Sequence, residues 1–136
     1  MPESKTEVAC RKFQETLSSC AGGFIDAVTF SVAGTRDYLD VKLFQTPKWE
    51  VVTILFEDVL HFSMSKGTDL EGAFVNEISV SYLPRNDQPW PPGPEKLVPR
   101  FDGLPELYWV RIIGPATLTA IAPIMNVTVS QELPRT

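Results

Sequence analysis

The stretch that decides the fold is "IDAVTFSVAGTRDYLDVKLF", residues 25–44, in which apolar and polar residues alternate. In its first half, Val28, Phe30 and Val32 fall on one face of an extended chain, because successive side chains of a strand point to opposite faces. In its second half, Leu39 and Val41 repeat the pattern after a short turn that contains glycine. The stretch therefore predicts an antiparallel pair of strands with one buried face.

The same two-residue period recurs along most of the chain and predicts about seven strands. The further strand segments read VVTILF, LHFSMS, EISVSYL, LYWVRII and TLTAIAPIMNVTV. Strands that alternate in this way form antiparallel sheets with one dry and one wet face. We predict one α+β domain over residues 1–136, in which an N-terminal helix packs on a curved, mainly antiparallel sheet formed by residues 24–83 and 107–130.

The helix is predicted over residues 4–20. Ser4 and Glu7 have the spacing of a capping box, in which the hydroxyl and the carboxylate each accept a hydrogen bond from a backbone N–H that the first helical turn leaves unpaired. The predicted buried stripe consists of Ala9, Phe13, Thr16, Leu17 and Cys20. The glycine pair at 22–23 is expected to end the helix.

A proline-rich loop is predicted over residues 84–106, between two strands. Three interpretations compete for it: a linker between domains, a ligand for an SH3-type groove with Lys96 as its basic anchor, and an ordered loop packed on the sheet. The ordered loop is favoured, because apolar residues at intervals would serve no purpose in a disordered tether. Its anchors would be Trp90, Leu97, Val98 and Phe101. Whether it is a structural cover or a binding surface stays open.

The composition argues against several classes of partner. The net charge of −5 and the pI of about 4.8 disfavour binding to nucleic acid, which needs a basic surface. The N-terminal residues lack the apolar stretch of a signal peptide, and no apolar run is long enough to cross a membrane. We therefore predict a cytoplasmic protein that binds neither nucleic acid nor membranes. Cys10 and Cys20 are expected to be free thiols, because one helix would hold them roughly 15 Å apart.

No arrangement of residues in the sequence predicts catalysis. The lone histidine, His61, lies on the polar face of a predicted strand beside Ser63, without the third group that a catalytic triad needs. One histidine and two distant cysteines do not make a usual metal site, and no nucleotide-binding motif is present. The prediction is a protein that is not an enzyme, with no catalytic residue, metal or cofactor.

Acidic residues accumulate in the second half of the chain, and we expect them to form a surface with aromatic side chains at its rim. Aromatic anchors are typical of protein–protein interfaces, where charged rims steer the partner. The predicted partner-binding residues are Asp87, Trp90, Glu95, Phe101, Asp102 and Trp109. In this hypothesis the acidic residues steer a basic partner and the aromatic residues anchor it.

Part of the chain resembles small bacterial immunity-like proteins of polymorphic toxin systems. The similar features are an F-x-D-A entry into the first strand, an L-x-V-x-L strand, the segment TILFEDVLHF and a final hairpin beginning LYWVRII. The resemblance covers about residues 22–83 and 107–130 and excludes the proline-rich loop, and Ile25 stands where histidine is usual. It implies a non-enzymatic protein that binds and neutralises a cognate partner.

The hypothesis from the sequence is thus a protein-binding module, such as an immunity-type inhibitor of a basic toxin domain. Two alternatives stay open. One is a small-molecule binding protein with an apolar pocket under the sheet and the proline-rich loop as a lid. The other is a structural subunit of a larger assembly, in which other chains bury the apolar faces of TLTAIAPIM.

Overall fold

The computed structural model describes residues 3–45, 50–66, 74–85 and 88–131. In these residues the chain forms one α-helix, eight strands and one 3₁₀ turn, so the predicted α+β class is confirmed. The bounds are α1 (Lys5–Ser18), β1 (Phe24–Ala33), β2 (Arg36–Gln45), β3 (Glu50–Glu57), β4 (His61–Lys66), β5 (Glu77–Leu83), the 3₁₀ turn (Pro94–Lys96), β6 (Leu107–Ile113), β7 (Ala116–Ala122) and β8 (Ile124–Gln131).

The strands form two four-stranded antiparallel sheets, and the predicted single sheet of about seven strands is wrong. Sheet A has the order β1-β2-β3-β8 and sheet B the order β4-β7-β6-β5. The segment predicted as one last strand is two strands, because Pro123 has no backbone N–H to donate to a ladder and the chain changes sheet there. A second change of sheet follows β3, where Asp58 adopts a left-handed backbone conformation (φ 58°).

The two changes of sheet lie side by side and join the sheets at one corner. Strand β3 pairs with β8 in sheet A, and β4 pairs with β7 in sheet B. The Leu60 N–H donates to the Ile121 carbonyl (2.9 Å), which continues the pairing through the bend. Strands that switch sheets through bends are typical of sheets that cross at a corner. The main core lies between the inner faces of these two sheets.

The decisive hairpin is confirmed in its pairing and, for β2, in its buried face. β1 and β2 pair antiparallel with Val28 opposite Val41 and Phe30 opposite Leu39. Leu39, Val41 and Leu43 are at most 1% exposed and face sheet B across the core. This face of the hairpin is therefore the inner face of sheet A.

Helix α1 begins as the capping motif predicts. The Ser4 hydroxyl accepts a hydrogen bond from the Glu7 N–H (3.1 Å) and donates one to the Glu106 carboxylate (2.7 Å). The helix packs mainly on the edge strand β5 and buries Cys10 and Leu17 against the main core. Within the described ranges, no helix has the length and hydrophobicity needed to cross a lipid bilayer.

Candidate functional site

The proline-rich segment forms an ordered cover on the outer face of sheet B, the face that points away from sheet A. We call residues 84–106 the proline cap, of which 84–85 and 88–106 are described. Val98 and Leu104 of the cap are only 4% and 5% exposed, so they anchor it firmly. They form a second hydrophobic cluster with sheet residues Leu83, Leu107, Trp109 and Ile121, against which Trp90 packs.

Polar contacts fix the beginning of the proline cap to its later part. The Trp90 indole N–H donates to the Pro84 carbonyl (2.7 Å), and the Arg100 guanidinium lies 4.5 Å from the centre of the Trp90 ring. Arg100 also donates hydrogen bonds to the carbonyls of Pro84 and Arg85. A cation–π contact combined with hydrogen bonds from one guanidinium holds three points of the segment together. The favoured interpretation of an ordered loop is thus the one the structure supports.

Trp109 does not lie at the rim of an open surface, contrary to its predicted place. It is 6% exposed, and the Arg111 guanidinium lies 4.2 Å from the centre of its ring. Gly93 of the proline cap adopts φ 120° and passes so close that an added Cβ would lie 3.4 Å from the Trp109 ring. The physical reason is that the cap covers the outer face of β6, so this strand is buried on both faces.

The other predicted partner-binding residues divide into two groups. Phe101 is 55% exposed, and Glu95 and Asp102 are also exposed on the proline cap. Trp90 is half-buried and serves as an anchor within the cap. Asp87 lies outside the described residues. The surface that remains for a partner therefore centres on Phe101, with Leu97 (38% exposed) as a second apolar side chain of the cap.

The carboxylate of Glu95 is held in a fixed place on the proline cap. It accepts hydrogen bonds from the Gly93 N–H at 3.1 and 3.2 Å. Backbone hydrogen bonds from Glu95 itself and from Gly93 lower the pKa of this carboxyl group. Glu95 therefore carries a negative charge at neutral pH in a defined position beside the 3₁₀ turn.

The two thiols of the chain are suited to packing and not to nucleophilic chemistry. Cys10 and Cys20 are free and buried. Burial, with smaller contributions from the charges of Glu7 and Glu106, raises the pKa of Cys10 to about 12. Burial likewise raises the pKa of Cys20 to about 11. Because the thiolate is the reactive form, both cysteines are inert near neutral pH.

The described part of the chain contains few side chains arranged for metal binding or acid–base chemistry. The His61 ring nitrogen Nε2 lies 3.2 Å from the Ser63 hydroxyl, on the outer face of β4. In the ranges that the structure describes, no three or more histidine, cysteine, aspartate or glutamate side chains are grouped so that they would hold a metal ion.

The sequence pattern missed an uncovered part of the inner face of sheet A. Phe30 and Val32 are predicted to face inward, and they do alternate to that face, yet they are 49% and 70% exposed. An open groove of about 350 Å³ lies beside them, lined by Phe30, Val59, Leu60, His61 and Phe62. Alternation reports which face a side chain points to, but it carries no signal for whether the opposite sheet reaches that far.

The chain matches no protein-family model, no curated protein and no solved structure.

Proposed function

We propose that the chain is a non-catalytic protein-binding module of the immunity type, which uses its proline cap to cover a basic site on a partner protein. The observation that carries the proposal is that buried anchors fix the proline cap on the sheet while its side chains Phe101 and Leu97 remain exposed. Loops fixed on a rigid scaffold are common positions for binding residues. A preformed surface of this kind loses little conformational entropy when a partner binds.

The charge of the chain supports a basic partner. The net charge is −5, and Glu95 and Asp102 are exposed on the same cap as Phe101. Complementary charges raise the association rate and exclude partners of the same sign, while a central aromatic side chain supplies most of the affinity. In this proposal Phe101 anchors the partner, the carboxylates steer it, and Trp90 and Trp109 hold the cap from beneath.

The buried free thiols are consistent with a cytoplasmic location, where the reducing environment keeps cysteines unpaired. Inhibition of a toxin domain in the same compartment would then require no secretion. The mechanism would be steric, because a covered site is closed to its substrate.

The proposal is tested by isolating the partner with the tagged full chain and measuring the affinity of the purified pair by calorimetry. Phe101→Ser should weaken binding by about 30-fold, as expected for a hot-spot side chain of about 2 kcal/mol. Binding should also weaken as salt is added, because charged rims are screened. Circular dichroism should report the same fold for the variant and the natural protein, since Phe101 is 55% exposed.

Val129→Ser is the matched control, because Val129 is 51% exposed and lies on β8 of sheet A, away from the cap. It should leave the affinity unchanged. If Phe101→Ser and Val129→Ser both bind the partner as tightly as the natural chain does, the proline cap is not the binding surface.

Both alternatives receive less support from the arrangement of the side chains. The structural-subunit alternative requires other chains to bury the apolar faces of TLTAIAPIM, but Leu118, Ala120 and Ile121 are at most 1% exposed within this chain. The space under the sheets is filled by core side chains that include Phe56 and Ile112. The groove beside Phe30 is an open surface feature and not an enclosed apolar pocket for a small molecule.

A further inference from the structure

The two sheets leave an opening between the edge strands β1 and β4. We call four inner-face residues beside it the mouth: Phe30 and Val32 of β1 and Met64 of β4, which are exposed, and Phe62 of β4, which is half-buried. The rings of Phe30 and Phe62 stack at 6.2 Å between centres, with 25° between their planes. Phe30 and Met64 are 49% and 40% exposed, so apolar surface of the core layer faces solvent here.

The residues of the mouth belong to the inner faces of their sheets. Phe30 lies opposite Leu39 on β2, and Phe62 lies opposite Ala120 on β7. Leu39 and Ala120 are both fully buried in the main core. The mouth is therefore the open end of the hydrophobic core and not a scatter of single apolar residues on an outer surface, which would need no explanation.

The groove beside the mouth has a size that suits side chains of a peptide. Its volume is about 350 Å³, at the lower end of the range for ligand pockets. Val59 and Leu60 form one wall of the groove, and Leu60 is 44% exposed. One or two apolar side chains of an incoming segment would fill it.

The backbone at the mouth has unpaired strand edges to which an extended segment can hydrogen-bond. Among the described strands, β1 pairs only with β2 and β4 pairs only with β7. The second edge of β1 carries one bridge, between Phe24 and Phe74 at the start of the strand, and no described strand pairs with the rest of that edge or with the second edge of β4. An open edge presents N–H and C=O groups to which another strand can bond. Residues 27–33 of β1 contain no charged residue and no proline, the features that natural edge strands use to prevent such pairing.

An acidic corner adjoins the groove. The Asp37 carboxylate accepts a hydrogen bond from the Val59 N–H (2.6 Å), and the Asp58 N–H donates to the Asp37 carbonyl (3.2 Å). Asp37 lies opposite Val32 on the same inner face, whereas the neighbouring Arg36 alternates to the outer face. A segment in the groove would meet negative charge at this end, which favours lysine or arginine beside its apolar residues.

The same charges disfavour a second copy of this chain as the occupant. Two copies that meet through their mouths around a two-fold axis would bring both acidic corners to one interface. Like charges placed together at an interface are costly, and each copy already carries a net charge of −5.

We propose that the mouth binds an extended segment of a partner protein in which apolar residues alternate with lysine or arginine. The segment adds a strand at an open edge, its apolar side chains enter the groove that Phe30 and Phe62 line, and a basic side chain pairs with Asp37. This site is separate from the proline cap and does not rest on the function proposed for it.

Fluorescence anisotropy with three labelled synthetic decapeptides tests the proposal on the full chain. The first peptide alternates valine or phenylalanine with lysine, the second has glutamate in place of lysine, and the third has two central prolines. The lysine peptide should bind about tenfold tighter than the glutamate peptide, because of the acidic corner. The proline peptide should bind about tenfold more weakly than the lysine peptide, because proline cannot donate to the ladder.

Two variants should each weaken binding of the lysine peptide, and each has a control. Phe30→Ser removes the aromatic wall, with Val129→Ser as an exposed apolar control on β8. Asp37→Asn removes the charge and keeps an oxygen for the Val59 N–H, with Glu77→Gln at the opposite edge of sheet B as the control of equal net charge. Neither control should change the affinity.

Three results would overturn the proposal. The first is equal binding of the lysine and glutamate peptides, and the second is equal binding of the lysine peptide by Phe30→Ser and the natural chain. The third is no binding of any peptide by a chain that light scattering shows to be a dimer, because a second copy would then occupy the mouth.

Discussion

The two edge strands of sheet B, β5 and β4, differ in whether another part of the described chain covers their outer edge. At β5, helix α1 lies along the edge, and the Gln14 side chain takes the place of a neighbouring strand. Its amide nitrogen donates to the Ile78 carbonyl (2.9 Å), and its oxygen accepts from the Val80 N–H (2.7 Å). At β4, no strand of the described chain pairs with the outer edge, and Met64 is 40% exposed.

The difference shows that an edge strand can be protected by a single well-placed side chain. A primary amide offers the same donor and acceptor as a peptide group, so Gln14 satisfies two backbone groups that would otherwise be open to another chain. The helix also buries Leu17 and Cys10 against the core at that side. Within residues 3–45, 50–66, 74–85 and 88–131, edge β4 has neither form of cover, which is why we assign binding to the mouth and structural support to the helix.

The largest expected effect comes from weakening the packing of helix α1, which covers the β5 edge. Leu17→Ala should lower the free energy of unfolding by about 2–5 kcal/mol, because Leu17 is fully buried and the helix cannot close the cavity left behind. Urea unfolding followed by circular dichroism measures this loss. Partial release of α1 would make the β5 edge as open as β4, so the variant should also aggregate more readily in light scattering.

Lys12→Ala is the control for that prediction, because Lys12 lies on the exposed face of the same helix. Its free energy of unfolding should stay within about 0.5 kcal/mol of the natural chain. A loss below 1 kcal/mol for Leu17→Ala would contradict the view that the helix is part of the core.

A smaller effect is expected when only the hydrogen bonds from the Gln14 side chain to strand β5 are removed. Gln14→Ala leaves the Val80 N–H and the Ile78 carbonyl without their partner, which should cost about 1–3 kcal/mol. Hydrogen exchange of the Val80 amide should become faster relative to the amides of β6. Gln14→Glu keeps the acceptor for Val80 and loses the donor to Ile78, so its Val80 amide should stay protected.

Equal exchange rates for the Val80 amide in the natural chain and in Gln14→Ala would show that the amide does not protect this edge. The comparison with Gln14→Glu separates loss of the hydrogen bond from loss of helix packing, because both variants keep α1 and its buried residues.

The elements of the fold followed from local sequence, but their assembly into two sheets did not. Alternation in residues 25–44 gave the hairpin and its inner face, and Ser4 with Glu7 gave the start of the helix. The division into two sheets depends on the bends at Asp58 and Pro123. A single proline in an apolar run is equally compatible with an edge strand, so the pattern alone did not distinguish the two outcomes.

The candidate site was predicted only in part, because contacts between distant segments also decide which of its side chains are exposed. Phe101 is on the surface, as expected of a partner-binding residue, whereas Trp109 is covered. Phe101 and Leu97 are not the buried anchors of the loop that the sequence predicts, because the cluster beneath the loop takes in Val98, Leu104 and Trp90 instead. The segment LYWVRII, which is apolar except for Arg111, was a usable signal, because a strand that is buried on both faces lacks strict alternation. No local sequence pattern predicted the role of Gln14, because its hydrogen-bond partners are backbone groups 64 and 66 residues away in the chain. No local pattern predicted the mouth either, because it exists where the two sheets end at different places.

The smallest expected effect lies at the uncovered side and uses two valines of the same layer. Val32 on β1 and Val41 on β2 both point to the inner face, but they are 70% and 0% exposed. Val32→Thr should change the free energy of unfolding by less than about 0.5 kcal/mol, while Val41→Thr should lower it by about 1–3 kcal/mol, because only there is the hydroxyl buried without a partner. Both substitutions keep a β-branched side chain, so strand propensity is matched. If Val32→Thr is as costly as Val41→Thr, and more so at higher protein concentration, the mouth is already closed in solution by a second copy and is not open to a partner.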